Sequence, residues 1–311
     1  MRKRSWAIAI GSLSLGTVLL LVASVITGAA DRAASAPGEA AASADATLTP
    51  QAFLPTVSRG FPPIYASRNL SGHEVFAECN PGGTSQCPCS ADDVQIASLA
   101  DYGEVTSNVE AEHTYVNAIG FKKFRETFPD GTPIALGTYR YAGQFRLPTL
   151  PQADANQVAN PQAVHLMIQL WDGRNALYAS DKTTLEGTIY WQLNPWESDR
   201  GTIKVYVWPL ELVDTGIVLA ADTAWHTFEL VVDLAAGRYL SITIDGQRAD
   251  LSAFELAQVH HPEWADDVSL SITTESLAAW PGPACERVFT WTTQFRDQVF
   301  SAVAVSDGQA R

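Results

Sequence analysis

The stretch TAWHTFELVVDLAAGRYLSITIDGQ, from Thr223 to Gln247, shows the architecture of this protein most clearly. Two runs of alternating apolar and polar residues are joined by Ala235-Ala236-Gly237, and the second run ends on Asp245-Gly246. Alternation sends successive side chains to opposite faces of a strand, and Gly and Asp favour turns. The segment therefore predicts a β-hairpin. The residues expected to face the core are Phe228, Leu230, Val232, Leu240, Ile242 and Ile244.

Similar short runs recur on both sides of the hairpin, separated by clusters of Gly, Pro, Asn and Asp, and helical periodicity is almost absent. The predicted strands are 138–147, 164–171, 187–193, 202–208, 225–234, 239–245, 268–274 and 288–295. This number of short strands suits an all-β fold, a two-sheet antiparallel jelly-roll sandwich.

The hairpin resembles one shared by laminin G-like domains, legume-lectin-type sandwiches and family 16 glucanases. In these proteins a Trp-His-x-aromatic-x-Leu strand, here Trp225 to Leu230, precedes a strand that ends in Ile-Asp-Gly, here Ile244 to Gly246. The segment GTYRYAGQFRLPTLP, from Gly137 to Pro151, is similar to a glucanase strand that ends in Leu-Pro. The resemblance covers about half of the domain and implies the concanavalin A-like jelly roll, a statement about fold more than about activity.

The N-terminus predicts export from the cytoplasm. Arg2, Lys3 and Arg4 precede an apolar run without charged residues, which is typical of a signal peptide over residues 1–30. The run is also long enough for an uncleaved membrane anchor, so a cleaved signal peptide and a membrane anchor both remain as interpretations. Either one predicts a secreted or surface-anchored protein.

Composition divides the rest of the chain. Residues 31–65 are rich in Ala, Ser and Pro and predict a flexible linker. Residues 66–303 are expected to form a single β-sandwich domain, and residues 304–311 a C-terminal tail.

The net charge of the chain is −14, and loss of the three basic residues at the N-terminus would make it −17. Such a surface offers no counterion-release drive towards nucleic acid. It would also repel anionic membranes and polyanionic glycans unless a local basic patch intervenes.

Four cysteines in an oxidising compartment predict two disulfides among Cys79, Cys87, Cys89 and Cys285. A bond between Cys87 and Cys89 would strain so short a loop, so we expect Cys285 to pair with one of the other three. Zinc binding is the rival interpretation, although the spacing matches no familiar ligand pattern.

The faces opposite the predicted core carry aromatic and hydrogen-bonding side chains on four strands. If these strands share one sheet, as on the concave face of this superfamily, the side chains would line one surface suited to sugars, whose apolar faces stack on rings and whose hydroxyls need donors and acceptors. The candidate ligand-binding residues are Arg140, Gln144, His165, Gln169, Trp171, Tyr190, Gln192, Lys204, Tyr206 and Trp208. The alternative is an ordinary half-solvated strand surface.

Two kinds of catalysis are weighed against binding alone. A family 16 glucanase supplies Glu-x-Asp-x-(x)-Glu from one strand, and this sequence lacks it; Asp172, Glu186 and Glu197 are expected in turns beside the strands. A jelly-roll alginate lyase instead uses Arg and Gln against a carboxylate while His and Tyr move protons. The candidates for that role are Arg140, His165, Gln169, Tyr190 and Tyr206, although the motifs of that family are absent.

No cofactor is expected, with the exception of a structural Ca²⁺ that the oxygens of 172–175, Asp214 and Asp233 could hold. The preferred interpretation is a secreted or surface-tethered, non-catalytic domain that recognises a polysaccharide or cell-surface glycan and no nucleic acid. The alternatives are a polysaccharide-cleaving enzyme, a lyase more than a hydrolase, and a structural domain of the cell envelope.

Overall fold

A computed structural model describes residues 62–81, 91–110, 113–150, 160–175, 177, 182–195, 197–279 and 287–303. The predicted signal or anchor, nearly all of the linker, three of the cysteines (Cys87, Cys89 and Cys285) and the C-terminal tail lie outside these residues, and what was predicted for them stays a prediction. None of the described segments forms a helix long and apolar enough to cross a membrane.

The described residues form sixteen strands and one short 3₁₀ turn at Ala91–Asp93. The strands are β1 (Tyr65–Ser67), β2 (Glu74–Pro81), β3 (Val94–Ser98), β4 (Gly103–Glu110), β5 (His113–Arg125), β6 (Thr138–Arg146), β7 (Asn160–Asp172), β8 (Thr183–Gln192), β9 (Thr202–Val207), β10 (Glu211–Val218), β11 (His226–Asp233), β12 (Arg238–Ile244), β13 (Gln247–Asp250), β14 (Ala257–His260), β15 (Val268–Ala279) and β16 (Arg287–Ala302). β1 begins one residue before the predicted domain boundary.

The strands pair into two antiparallel sheets of eight. The first sheet has the order β13-β12-β11-β6-β16-β4-β3, with β1 beside β16. The second has the order β10-β9-β8-β7-β15-β5-β2, with β14 beside β8. Alternate side chains of both sheets are buried between them. The structure thus confirms the predicted two-sheet jelly-roll sandwich.

The hairpin of β11 and β12 forms as predicted, with Gly237 and Gly246 at positive φ in its turns. One core assignment is wrong. A register shift pairs Val231 with Ser241 but Val232 with Tyr239, which leaves Leu240 as an extra residue in a β-bulge. Tyr239 is therefore fully buried and Leu240 is not.

Aromatic packing joins the two sheets at the centre of the core. The ring of Phe300 on β16 stacks on Tyr139 of the same sheet, with ring centroids 5.4 Å apart. It also stacks on Phe124 of β5 in the other sheet at 6.0 Å and contacts Phe128 at 6.5 Å. Phe300 is fully buried, so its ring is the common contact of residues from both layers.

Candidate functional site

The outer face of the second sheet carries a continuous group of polar side chains. They alternate with core residues on six neighbouring strands, as the period of a strand requires. We call this surface the polar face and define it by Glu78, Asn117, His165, Gln169, Glu186, Tyr190, Lys204, Tyr206, Thr273 and Glu275.

Glu275 on β15 is the centre of the polar face, although its side chain is almost completely buried. Its Oε2 accepts a hydrogen bond from Asn117 Nδ2 at 2.7 Å and lies 3.1 Å from His165 Nδ1. Its Oε1 accepts the hydroxyl of Thr273 at 3.0 Å. Since an ionised carboxylate only accepts hydrogen bonds, the contact with Glu275 requires a proton on Nδ1 of His165.

The contact of His165 with Glu275 uses only one of its two ring nitrogens. Nε2 is buried and has no hydrogen-bond partner among the described residues, and the same holds for Asn117 Oδ1. The imidazole ring lies 4.6 Å from the Tyr190 ring and 6.3 Å from the Tyr206 ring, measured between centroids. Two tyrosine rings therefore lie beside an imidazole whose second nitrogen is unpaired.

Tyr206 is held in place through its backbone. Its N–H donates to Thr188 Oγ1 at 2.9 Å, and its carbonyl accepts the hydroxyl of Tyr239 at 2.6 Å. Tyr239 belongs to β12, so a core residue of the first sheet positions a polar-face residue of the second. Burial, together with the negative charges of Glu275, Glu186 and Glu78, raises the pKa of Tyr206 to about 12, and its phenol stays protonated at neutral pH.

The carboxyl groups of the polar face differ in their readiness to ionise. Burial by itself raises the pKa of a carboxyl group, but the hydrogen bond and charge of His165, with the hydrogen bonds from Asn117 and Thr273, lower the pKa of Glu275. Burial, and then the charge of Glu275, raise the pKa of Glu78. Burial also raises the pKa of Glu186. The face therefore combines one ionised carboxylate with two groups that protonate more easily.

The remaining polar side chains are paired on the face. Gln169 Nε2 donates to Glu186 Oε1 at 2.7 Å, and Lys204 forms an ion pair with Asp199. Glu186, which was expected in a turn, lies inside β8 and points to this face. The charge of Lys204 is thus compensated by a neighbour of the same chain.

Seven of the ten predicted ligand-binding residues lie in strands of the second sheet as expected, but Arg140 and Gln144 do not. The strand that carries them, β6, belongs to the first sheet, so these two side chains lie on the opposite outer face of the sandwich, where Arg140 pairs with Glu229 at 2.5 Å. The expectation of one shared surface was wrong for them, because alternation assigns a side chain to a face of its strand and not to a sheet.

Of the three remaining candidates, Trp171 and Gln192 are buried, and only Trp208 is exposed as a stacking residue would be. Trp171 is only 3% exposed; its Nε1 donates to the carbonyl of Ala265 at 3.0 Å, so this β7 residue packs against the loop that contains Ala265. Gln192 is buried and accepts the N–H of Asn194. Trp208, which follows β9, is 50% exposed.

Sequence reasoning missed the residues that organise the site: Glu275, Asn117 and Glu78. β15 reads SLSITTES, with polar residues on both faces, so alternation did not distinguish its outer face from its core face. The available signal was that Glu275 directly follows the predicted strand 268–274, with no Gly, Pro, Asn or Asp there to end the strand.

The acidic residues that were candidates for Ca²⁺ serve as turn formers. Asp214 Oδ1 accepts the N–H of Gly216 at 2.7 Å, and Asp233 Oδ1 accepts that of Ala235 at 2.9 Å. Within the described ranges, no group of three or more His, Cys, Asp and Glu side chains is arranged to hold a metal ion. Calcium binding stays a prediction.

We expect Glu78→Gln to stabilise the protein at neutral pH. Because the folded-state pKa of Glu78 is raised, its contribution to stability is present at low pH and is lost as the pH rises through that pKa. Glutamine keeps the shape of the side chain and removes this loss. Thermal unfolding should give a higher Tm than the wild type at about pH 8 and the same Tm at about pH 3. Glu211→Gln on β10, an exposed position, controls for the removal of one negative charge; an equal gain there would contradict the prediction.

No family model and no curated protein matches this sequence. Among solved structures, an endo-β-1,4-glucuronan lyase from the fungus Trichoderma reesei is similar over 78% of this chain and 96% of its own, at 11% identity and a TM-score of 0.44. A glycosyl hydrolase family protein from Mycobacterium fortuitum matches over 77% and 100%, at 10% identity and a TM-score of 0.41. The metal-free lectin I-B4 from Griffonia simplicifolia matches over 74% and 100%, at 9% identity and a TM-score of 0.35. At these values the similarities assign no function to this chain.

Proposed function

We propose that the polar face is a binding site for a polysaccharide. The observation that carries this proposal is the position of His165, with its buried and unpaired Nε2, beside the rings of Tyr190 and Tyr206, on a face where Asn117 Oδ1 is unpaired as well. Sugars need both elements, since their hydroxyls require fixed donors and acceptors while their C–H faces stack on aromatic rings. Buried polar atoms that lack partners are costly, and a ligand hydroxyl would relieve that cost.

The exposed rings at both sides of the second sheet favour an extended ligand. Phe76 on β2 is 46% exposed, and Trp208 follows β9 on the other side. Five strand-to-strand steps separate β2 from β9, or about 24 Å at the usual spacing of strands. A surface of this length suits several consecutive sugar units better than a single one.

Charge favours a neutral polymer on this face. Glu78, Glu186 and Glu275 contribute carboxyl groups, while Lys204 is already paired with Asp199. A uronate chain would meet repulsion from these three groups, which Lys123, on the same outer face of β5, would offset only in part. The export predicted from residues 1–30 would bring the domain to polymers outside the cytoplasm, either secreted or tethered to the surface.

The test is binding of the full-length protein to neutral polysaccharides by affinity electrophoresis. Tyr206→Ala should weaken binding by about tenfold, because loss of one stacking ring removes on the order of 1 kcal/mol. Tyr102→Ala is the matched control, a partly exposed tyrosine that packs against Trp225 on the other sheet. Unchanged binding by a folded Tyr206→Ala protein, or an equal loss in Tyr102→Ala, would overturn the proposal.

A second candidate function, which needs a uronate polymer in place of a neutral one, is cleavage by β-elimination; the Glu275–His165 pair favours it. With Nδ1 held by the carboxylate, Nε2 is the basic atom and points away from it. In elimination a base takes the proton next to the uronate carboxylate, the C–O bond to the leaving sugar breaks, a C=C bond forms, and the leaving oxygen takes up a proton. Tyr190 and Tyr206 are the neighbouring phenols that would donate it.

The two candidates are separated by following the absorbance of unsaturated chain ends during incubation with uronate polysaccharides. Retention of a polymer without new absorbance supports the binding module. Absorbance that disappears in His165→Ala, with the fold intact, would replace it with the lyase. Lack of interaction with every polymer would leave the structural role.

A further inference from the structure

The outer face of the first sheet carries a second group of aromatic and charged side chains, on the opposite side of the sandwich from the polar face. Arg146 on β6 and Arg296 on β16 lie against the ring of Trp225, with guanidinium carbons 4.6 Å and 4.1 Å from the ring centroid. Tyr102, just before β4, lies 5.6 Å from the Arg146 guanidinium and 6.2 Å from the Trp225 ring. We call these four residues the arginine–aromatic patch.

The two arginines of the patch are held by neutral amides. Arg146 Nε donates to Gln294 Oε1 at 2.6 Å, and Arg296 donates to Gln144 Oε1 from both Nε and Nη2, at 3.1 Å and 2.8 Å. A glutamine oxygen orients a guanidinium group without cancelling its charge. The packing against Trp225 adds a cation–π contact that fixes the plane of each guanidinium group.

The two arginines of the patch have weaker ion pairing than Arg140 and Arg125. Arg140, on the same face of the same strand as Arg146, pairs with Glu229 at 2.5 Å, and Arg125 pairs with Asp267 at 2.5 Å. Arg146 forms no ion pair with a carboxylate in the part of the chain that the structure describes, and Arg296 has only Asp297, at 3.7 Å. In a chain of net charge −14, the patch therefore brings together two guanidinium groups that have only this one long ion pair among the described residues.

Two acidic residues lie near the patch, and both contact the glutamines that support the arginines. Glu104 accepts a hydrogen bond from Gln294 at 2.7 Å and so faces the amide that orients Arg146. Asp297 is half exposed and receives a long contact from Gln144 at 3.4 Å. Both carboxylates lie beside the supporting glutamines, and they leave the remaining N–H groups of Arg146 to another acceptor.

We propose that the arginine–aromatic patch binds a uronic acid unit of an acidic polysaccharide. The planar guanidinium fork matches a carboxylate with two parallel hydrogen bonds, which are stronger than those between neutral groups. The neighbouring rings of Trp225 and Tyr102 provide the apolar surface on which a sugar ring stacks. An acidic protein repels a polyanion unless it has a local basic patch, and these arginines provide one. The patch is separate from the proposed neutral site on the other sheet.

The probe is polygalacturonate, added to the purified full-length protein at low ionic strength. We expect binding that weakens as salt is added, since the attraction is between partly exposed charges. The double variant Arg146→Gln/Arg296→Gln should lose at least about tenfold in affinity, because charge-assisted hydrogen bonds are removed. Arg140→Gln is the matched control: it removes one positive charge from the same strand face and should leave affinity within about twofold.

Three outcomes would overturn the proposal: no binding of polygalacturonate, equal binding by the double variant, or an equal loss in Arg140→Gln. Tighter binding of dextran sulfate than of polygalacturonate would overturn the assignment to a carboxylate. Tyr206→Ala separates the two sites, because it should weaken binding of a neutral polymer and leave polygalacturonate unaffected. Failure of one site therefore does not imply failure of the other.

Discussion

Replacing Glu275 with alanine should lower the free energy of unfolding by about 3–5 kcal/mol at neutral pH, the usual cost of breaking a buried pair. Glu275 is 2% exposed and is the shared partner of His165, Asn117 and Thr273. Its removal leaves three buried polar groups without their acceptor. Urea denaturation of variant and wild type measures the difference.

The pH dependence of this loss provides a second check. The folded-state pKa of Glu275 is lowered, so its contribution is present above the unfolded pKa and is lost as the pH falls through the folded pKa. The difference in unfolding free energy between the wild type and Glu275→Ala should therefore become smaller at acidic pH. Glu229→Ala, which removes a half-exposed partner of Arg140, should cost at most about 1 kcal/mol. A cost for Glu275→Ala as small as that of the control would contradict this account.

Phe300→Ala should also cost about 3–5 kcal/mol, as expected for a large aromatic residue removed from a packed core. The ring of Phe300 stacks on Tyr139 in its own sheet and on Phe124 in the other, so its loss opens a cavity between the layers. Contacts on both sides limit how far the site can collapse. The measurement is the midpoint and slope of urea unfolding.

The same substitution at an exposed ring separates packing from the loss of an aromatic residue as such. Phe76 is 46% exposed on β2, and Phe76→Ala should change the unfolding free energy by no more than about 0.5 kcal/mol. Similar losses at the two positions would show that Phe300 does not join the sheets as its contacts indicate.

Much of the polar face was predictable from local pattern. The outer faces of β7, β8 and β9 follow from alternation, and the structure brings His165, Gln169, Tyr190, Lys204 and Tyr206 together on one sheet. Glu275 was not predictable in the same way, because β15 carries hydroxyl side chains on both faces and so lacks a clear period. The strands of residues 74–125 were missed as well. In β5, apolar residues and lysines occur on both faces, so alternation is weak there.

By itself, the sequence determined the class of fold, the hairpin of β11 and β12, and which side of most predicted strands faces the core, because all three follow from a period of two that each strand carries locally. Only the tertiary structure decided which strands share a sheet. It placed Arg140 and Gln144 away from His165, set Glu275 beside His165, and brought Arg146, Arg296 and Trp225 together. The physical reason is that backbone hydrogen bonds between strands are the same whatever the side chains are, so the partner of a strand depends on packing across the whole core and on residues far apart in the chain.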